Sequence, residues 1–143
     1  MLDPVAELLE IAAELSEDRD RPAAIVAGCL VEECLAEALS KTISLERDQV
    51  DDKYPKLAHK IDGAFKHGLI MKEEKDDLHW IRKIRNLFAH KSRIRTFKDP
   101  EVIAFCELMH FRNSPHCVLK EDYRFVYMER ALGIEVKLGS LWM

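Results

Sequence analysis

Arg82, Asn86 and His90 stand four residues apart, with Arg85 between the first two. On a helix turning about 100° per residue the first three form one row, with His79 just beneath. These residue types suit cleavage of RNA. An imidazole can take the proton from a 2′-hydroxyl or return one to a leaving oxygen. A guanidinium can hold the phosphate and stabilise charge building on its oxygens, and an asparagine can orient either partner. The scheme needs no metal and no other cofactor. Arg85 falls about 140° around such a helix from His90, so a regular helix does not bring both onto one small group. A local distortion would, and so would two chains joined across a two-fold axis, where the small Ala89 permits close approach. A structural role competes with this chemistry: Arg and Asn can cap backbone groups, and His90 near a helix end suits the helix dipole.

The surroundings of this row are basic. Residues 79–98 hold Arg82, Lys83, Arg85, Lys91, Arg93, Arg95 and Lys98 and no acid, within a chain of net charge −4. Residues 1–40 hold ten Asp and Glu against only Arg19 and Arg21. Such asymmetry implies either an anion-binding face or internal pairing of acidic with basic elements. Under the first reading Arg82, Lys83, Lys91, Arg93 and Arg95 are the candidate nucleic-acid contacts. Under the second, Glu32 or Glu33 pairs with Arg82 or Arg85.

Helices must position these groups, because the apolar periodicity is helical nearly throughout. Asp3-Pro4 is a cap followed by proline, and Val5, Leu8, Leu9, Ala12 and Leu15 predict a first amphipathic helix to about Ser16. Pro22 opens a second helix, whose apolar positions from Ile25 to Leu39 cover so wide an arc that it belongs at the centre of a bundle. Gly28 within it costs about 1 kcal/mol of helix propensity, which close approach of another helix would explain. Residues 42–54 predict a loop with a helical turn. Pro55 starts a third helix that Gly68 stops. Glu73, Glu74, Asp76 and Asp77 suit the start of a fourth, whose Leu78, Ile81 and Phe88 face the core. Asp99-Pro100 caps another, and a last one carries Tyr123, Val126, Tyr127, Leu132 and Ile134, with a short extended piece at the C-terminus as the one strand candidate. The expectation is an all-α, single-domain helical bundle of five or six helices over residues 1–143.

Composition narrows the class further. With 143 residues, 48% hydrophobic and 34% charged, the chain suits one soluble globular domain. The longest uncharged apolar run, Pro22 to Val31, is about half a membrane span, and no secretory leader is readable. Cys29, Cys34, Cys106 and Cys117 then read as reduced, mostly buried thiols of a cytoplasmic protein. Cys106, His110, His116 and Cys117 are metal-capable types, but they lack tight paired spacing, and Cys106 falls on an apolar helix face. No metal is expected. No phosphate loop, nucleophile elbow or dinucleotide fingerprint is present.

The string LHWIRKIRNLFAH, Leu78 to His90, resembles the signature of the HEPN superfamily: an Arg followed by Asn, then Ala before His, as in Arg85-Asn86 and Ala89-His90. The wider sequence is similar to the mannitol-operon repressor (MltR) family in four ordered pieces. They are DRPAAIVAGCLVEECLAEAL (Asp20 to Leu39), KIDGAFKHGLI (Lys60 to Ile70), DLHWIRKIRNLFAH (Asp77 to His90) and FKDPEVIAFC (Phe97 to Cys106). Together they span roughly residues 20–106. Met71 departs from the pattern, standing where relatives often carry a Ser or Thr helix cap.

The resemblance implies a HEPN-like bundle and two functions. HEPN domains include metal-independent ribonucleases that act as dimers, in which the positions of Arg85 and His90 are catalytic and Asn86 supports them. The mannitol-repressor branch implies a transcriptional regulator working through another protein. The residues agree on one point, since no helix–turn–helix pair with an exposed basic second helix stands out. The regulator is the leading expectation and the ribonuclease the alternative, with a homodimer expected in both, RNA a partner only in the second, and no membrane in either.

Overall fold

The computed structural model describes residues 19–140 as six helices. They are α1 (Asp20–Ile43), α2 (Arg47–Lys53), α3 (Leu57–Lys66), α4 (Lys72–His90), α5 (Pro100–Glu107) and α6 (Tyr123–Ser140). The expected helix over residues 3–16 lies outside the described residues. All-α architecture is as the periodicity predicts, and no strand occurs among the described residues.

Helix α1 is the spine, packed against α6, α4, α3 and α2. Its Ala24, Val31 and Leu35 are fully buried, joined by Leu78, Ile81, Ile84 and Phe88 of α4 and by Val126, Tyr127 and Ile134 of α6 in one core. Burying this apolar surface is the main force that sets the helices' rotation. The Tyr127 ring lies in that core against Phe97, and its hydroxyl donates to the Ala24 carbonyl at 2.6 Å. Burial pushes the Tyr127 phenol above its ordinary range. Arc breadth overstates burial on α1: Val26 and Leu30 are both about half exposed.

Punctuation at the helix ends follows the sequence with three differences. Gly68 ends α3 in the left-handed region, φ +74°, where only glycine is free of strain. Asp99 precedes Pro100 as expected, yet its carboxylate does not cap α5; it accepts the backbone N–H groups of Arg95 and Thr96, both at 2.9 Å, and so closes the turn before the helix. Met71 offers no cap of its own, and the Glu74 carboxylate instead accepts the Met71 N–H at 2.7 Å. The extended piece considered for the C-terminus is corrected as far as Ser140: α6 continues through Gly133 and Gly139. Ile134 and Leu138 are buried, and Lys137 pairs with Glu74. These contacts outweigh the poor propensity of the two glycines.

Candidate functional site

Leu78, Ile81, Ile84 and Phe88, all fully buried, fix the roll of α4. That roll carries Arg82, Asn86 and His90 away from the core, each at least partly exposed. Arg85 lies nearer the core and crosses the face of α1. It can do so because of Gly28: a Cβ there would stand 2.4 Å from Arg85 Cδ. The close approach expected at Gly28 is therefore a side chain of α4 rather than its backbone.

Arg85 Nη1 donates to Glu32 Oε1 at 3.2 Å. The other oxygen of Glu32 takes Lys60 Nζ at 3.4 Å. Lys60 is almost wholly buried, and its ammonium is also held by the Tyr54 carbonyl at 2.8 Å and by Asp51 at 3.3 Å. Of the two carboxylates considered on α1, Glu32 is the one that meets Arg85. Glu33 pairs with Arg47 of α2 at 2.8 Å, and that hydrogen bond holds its carboxyl below the usual range.

Arg82 takes a different partner. Its Nε donates to His79 Nδ1 at 3.4 Å, while His79 Nε2 meets Asp62 Oδ1 at 2.8 Å. With Nδ1 as the acceptor from Arg82, the ring presents Nε2–H as the donor to Asp62. Asn86 and His90 make no side-chain hydrogen bond or ion pair to any other described residue. Arg82, Arg85 and Asn86 line a cleft of about 340 Å³ with Lys56 and Glu32 above Pro55. His90, one turn further along α4, does not line it. Within one chain, then, Arg85 and His90 point to separate surroundings, as their angular separation predicts.

The rest of the basic stretch is largely answered inside the chain. Lys91 and Arg93 both face Glu101, at 3.9 and 2.5 Å, and Arg93 is the main cause of the lowered Glu101 carboxyl. Lys83 Nζ sits over the Trp80 ring, 4.6 Å from its centroid. Trp80 in turn stacks on Phe105 at 5.4 Å. Arg95 and Lys98 are exposed, and their side chains meet no acid among the described residues.

Two determinants of this region carry no sequence signal. Arg21, in the first turn of α1, donates through its guanidinium to the carbonyls of Phe88 at 2.8 Å, Ser92 at 3.2 Å and Ile94 at 2.6 Å. It thereby caps the C-terminus of α4 and holds the chain that leaves it. Its neighbour Asp20 accepts the Phe97 N–H at 3.0 Å. The second is Asp77, fully buried. Its carboxylate accepts the N–H groups of His110 at 2.7 Å and Phe111 at 3.0 Å, and Arg130 Nε at 2.8 Å. An acid in the early turns of a helix looks like a dipole partner in sequence, and nothing there separates Asp77 from Asp76.

The metal-capable residues disperse. Cys106 is buried with its thiol near the Tyr123 carbonyl, and burial pushes its pKa up to about 12. His110 Nε2 turns to Asp76 at 3.1 Å, while Cys117 is buried elsewhere in the core and His116 is exposed. Among the described residues no group of three or more His, Cys, Asp or Glu is placed to hold a metal ion. Likewise no helix of the described residues is long and apolar enough to cross a membrane.

No protein-family model, no curated protein and no solved structure matches this chain. The likeness to HEPN and mannitol-repressor proteins accordingly rests on the residues quoted for it.

Proposed function

We propose that this chain is a non-catalytic regulator of the mannitol-operon repressor type, a HEPN-like bundle that controls transcription through protein contacts and not by reading DNA. The observation that carries the reading is the Arg85–Glu32 pair. It commits the guanidinium of the motif to a carboxylate of its own chain, in a cleft that excludes His90. Pairing of Lys91 and Arg93 with Glu101 supports it, because it reduces the positive charge available to a nucleic-acid backbone. A cytoplasmic homodimer with a transcription factor or another protein as partner belongs to the same reading. Its test is a reporter assay of the repressed operon beside incubation with a mixed RNA pool in excess chelator. Repression by folded His90→Ala protein, with intact RNA throughout, is expected. Loss of repression in that folded variant would overturn it.

One observation favours the alternative, a metal-independent ribonuclease. Asn86 and His90 face solvent with their polar atoms unspent. Two chains apposed along α4 would set His90 of one against Arg85 of the other, after Arg85 exchanges Glu32 for a phosphate. Cleavage by the wild type and not by His90→Ala, leaving cyclic-phosphate ends, would establish this reading in place of the first.

A further inference from the structure

The cleft between α3 and α4 has a charge that the regulator reading does not use. Lys56, Arg82 and Arg85 line it against one carboxylate, Glu32, so its walls carry a surplus of two positive charges. Glu32 is moreover shared with the buried ammonium of Lys60, which leaves still less of its charge for the cleft. Lys56 is exposed, and its ammonium meets no acid among the described residues. Arg82 is spent only on the ring nitrogen of His79, at 3.4 Å. Asn86, partly buried on the same wall, keeps its amide free to donate. The guanidinium of Arg85 has donors beyond the one that meets Glu32.

We infer that this cleft is a binding site for a small molecule bearing a phosphate monoester, for which inorganic phosphate serves as the minimal probe of the same dianionic group. Its surplus charge equals that of a monoester dianion, whereas a phosphodiester carries one charge only. Two guanidiniums offer the planar, paired donors that suit phosphate oxygens, Lys56 adds a mobile point charge, and Asn86 supplies a neutral donor. The first turn of α3 also borders the cleft through Leu57 and Ala58, and its dipole has the same sign. Arg82 and Asn86 are the residues that grip. Glu32 is a positioning residue that holds Arg85 and opposes the anion. A volume of about 340 Å³ admits a small phosphorylated metabolite. The inference does not rest on the regulator reading.

The test is titration of the full chain at constant ionic strength with inorganic phosphate, with glycerol 3-phosphate and with a short single-stranded RNA, followed by calorimetry and by melting temperature. Inorganic phosphate and glycerol 3-phosphate are both expected to bind and to raise the melting temperature with concentration. Arg82→Gln and Lys56→Gln should each weaken binding about tenfold or more, Glu32→Gln should tighten it, and Lys98→Gln, outside the cleft, should leave it unchanged. Lys56 is exposed, so its variant stays informative if Arg82→Gln fails to fold. Absence of binding, or equal weakening by Lys98→Gln, would overturn the site. RNA binding as tight as the monoesters, with the same dependence on Arg82, would overturn the ligand class in favour of a diester.

Discussion

The two halves of α4 treat their polar residues in opposite ways. In the first half Asp77 is fully buried and its carboxylate is filled by two backbone N–H groups and Arg130, while Glu74 holds the Met71 N–H and Lys137. In the second half Asn86 and His90 hold nothing within the described chain, Arg82 has one long hydrogen bond, and Arg85 shares a partly exposed carboxylate with Lys60. One helix thus carries a network closed upon itself and, two turns later, a set of donors left open. Buried polar groups must be satisfied to be tolerated, so Asp77 and Glu74 have no capacity left for a ligand. Open donors at the surface cost the fold little, and that is where a ligand can add stabilisation.

The largest expected effect comes from breaking the closed half. Asp77→Ala strands Arg130 and two loop amides, and should cost about 3–5 kcal/mol in a urea unfolding experiment. His90→Ala and Asn86→Ala should stay within about 0.5 kcal/mol of the wild type. Comparable losses at all three positions would erase the distinction between the halves.

Glu32→Gln comes next. Lys60 would lose one of two acids near its buried ammonium, and a stability loss of about 1–2 kcal/mol is expected, reduced by the partial exposure of Glu32. A stabilised variant would mean that Glu32 serves only to restrain Arg85. Gly28→Ala sharpens the same point. Alanine should gain about 1 kcal/mol in helix propensity, but its Cβ would collide with Arg85 Cδ. In the wild-type background the change should be neutral or destabilising, and in an Arg85→Ala background stabilising. A double-mutant cycle that adds up without coupling would show that the two side chains do not meet.

The smallest effect concerns acid. Asp76 accepts from His110 and Lys72, and the His110 hydrogen bond is the main reason its carboxyl lies below the ordinary range. Its folded pKa is lowered relative to the unfolded chain. The contribution to stability is therefore present above the unfolded value, about 4, and disappears as pH falls through the lowered folded value. The melting temperatures of wild type and Asp76→Asn should differ modestly at about pH 5 and converge near about pH 2. A gap that widened on acidification would contradict that sign.

Where residues act locally, the sequence disclosed the structure. Pro22, Pro55, Gly68 and Asp99-Pro100 mark starts and stops that the helices respect within two residues. Gly28 signalled a close approach, and the acidic residues of α1 signalled a partner for Arg85. Helix α2 was visible only as a turn, because seven residues with one buried apolar side chain, Val50, show no periodicity; Arg47 ties it to α1 from outside the pattern. The last turns of α6 were obscured by Gly133 and Gly139, whose low propensity is overridden by packing that no local window contains. Asp77 and Arg21 were illegible for the same reason: their partners lie 33 to 73 positions away in the chain. The open cleft was half legible, since its α4 wall stood out as basic and its α3 wall, Lys56, did not.

The clamp formed by Asp20 and Arg21 has a consequence for the order of folding events. It spans 67 to 77 residues, whereas α4 itself is built from contacts one turn apart. Closing so long a loop comes at a large entropic cost and only after α1 has docked. The stretch from Lys91 to Phe97, and with it the exit from His90, should therefore acquire its shape late and lose it first. In native-state hydrogen exchange the Phe97 amide would open together with the first turn of α1, as one cooperative unit, while the amides of Ile81 and Ile84 remain protected.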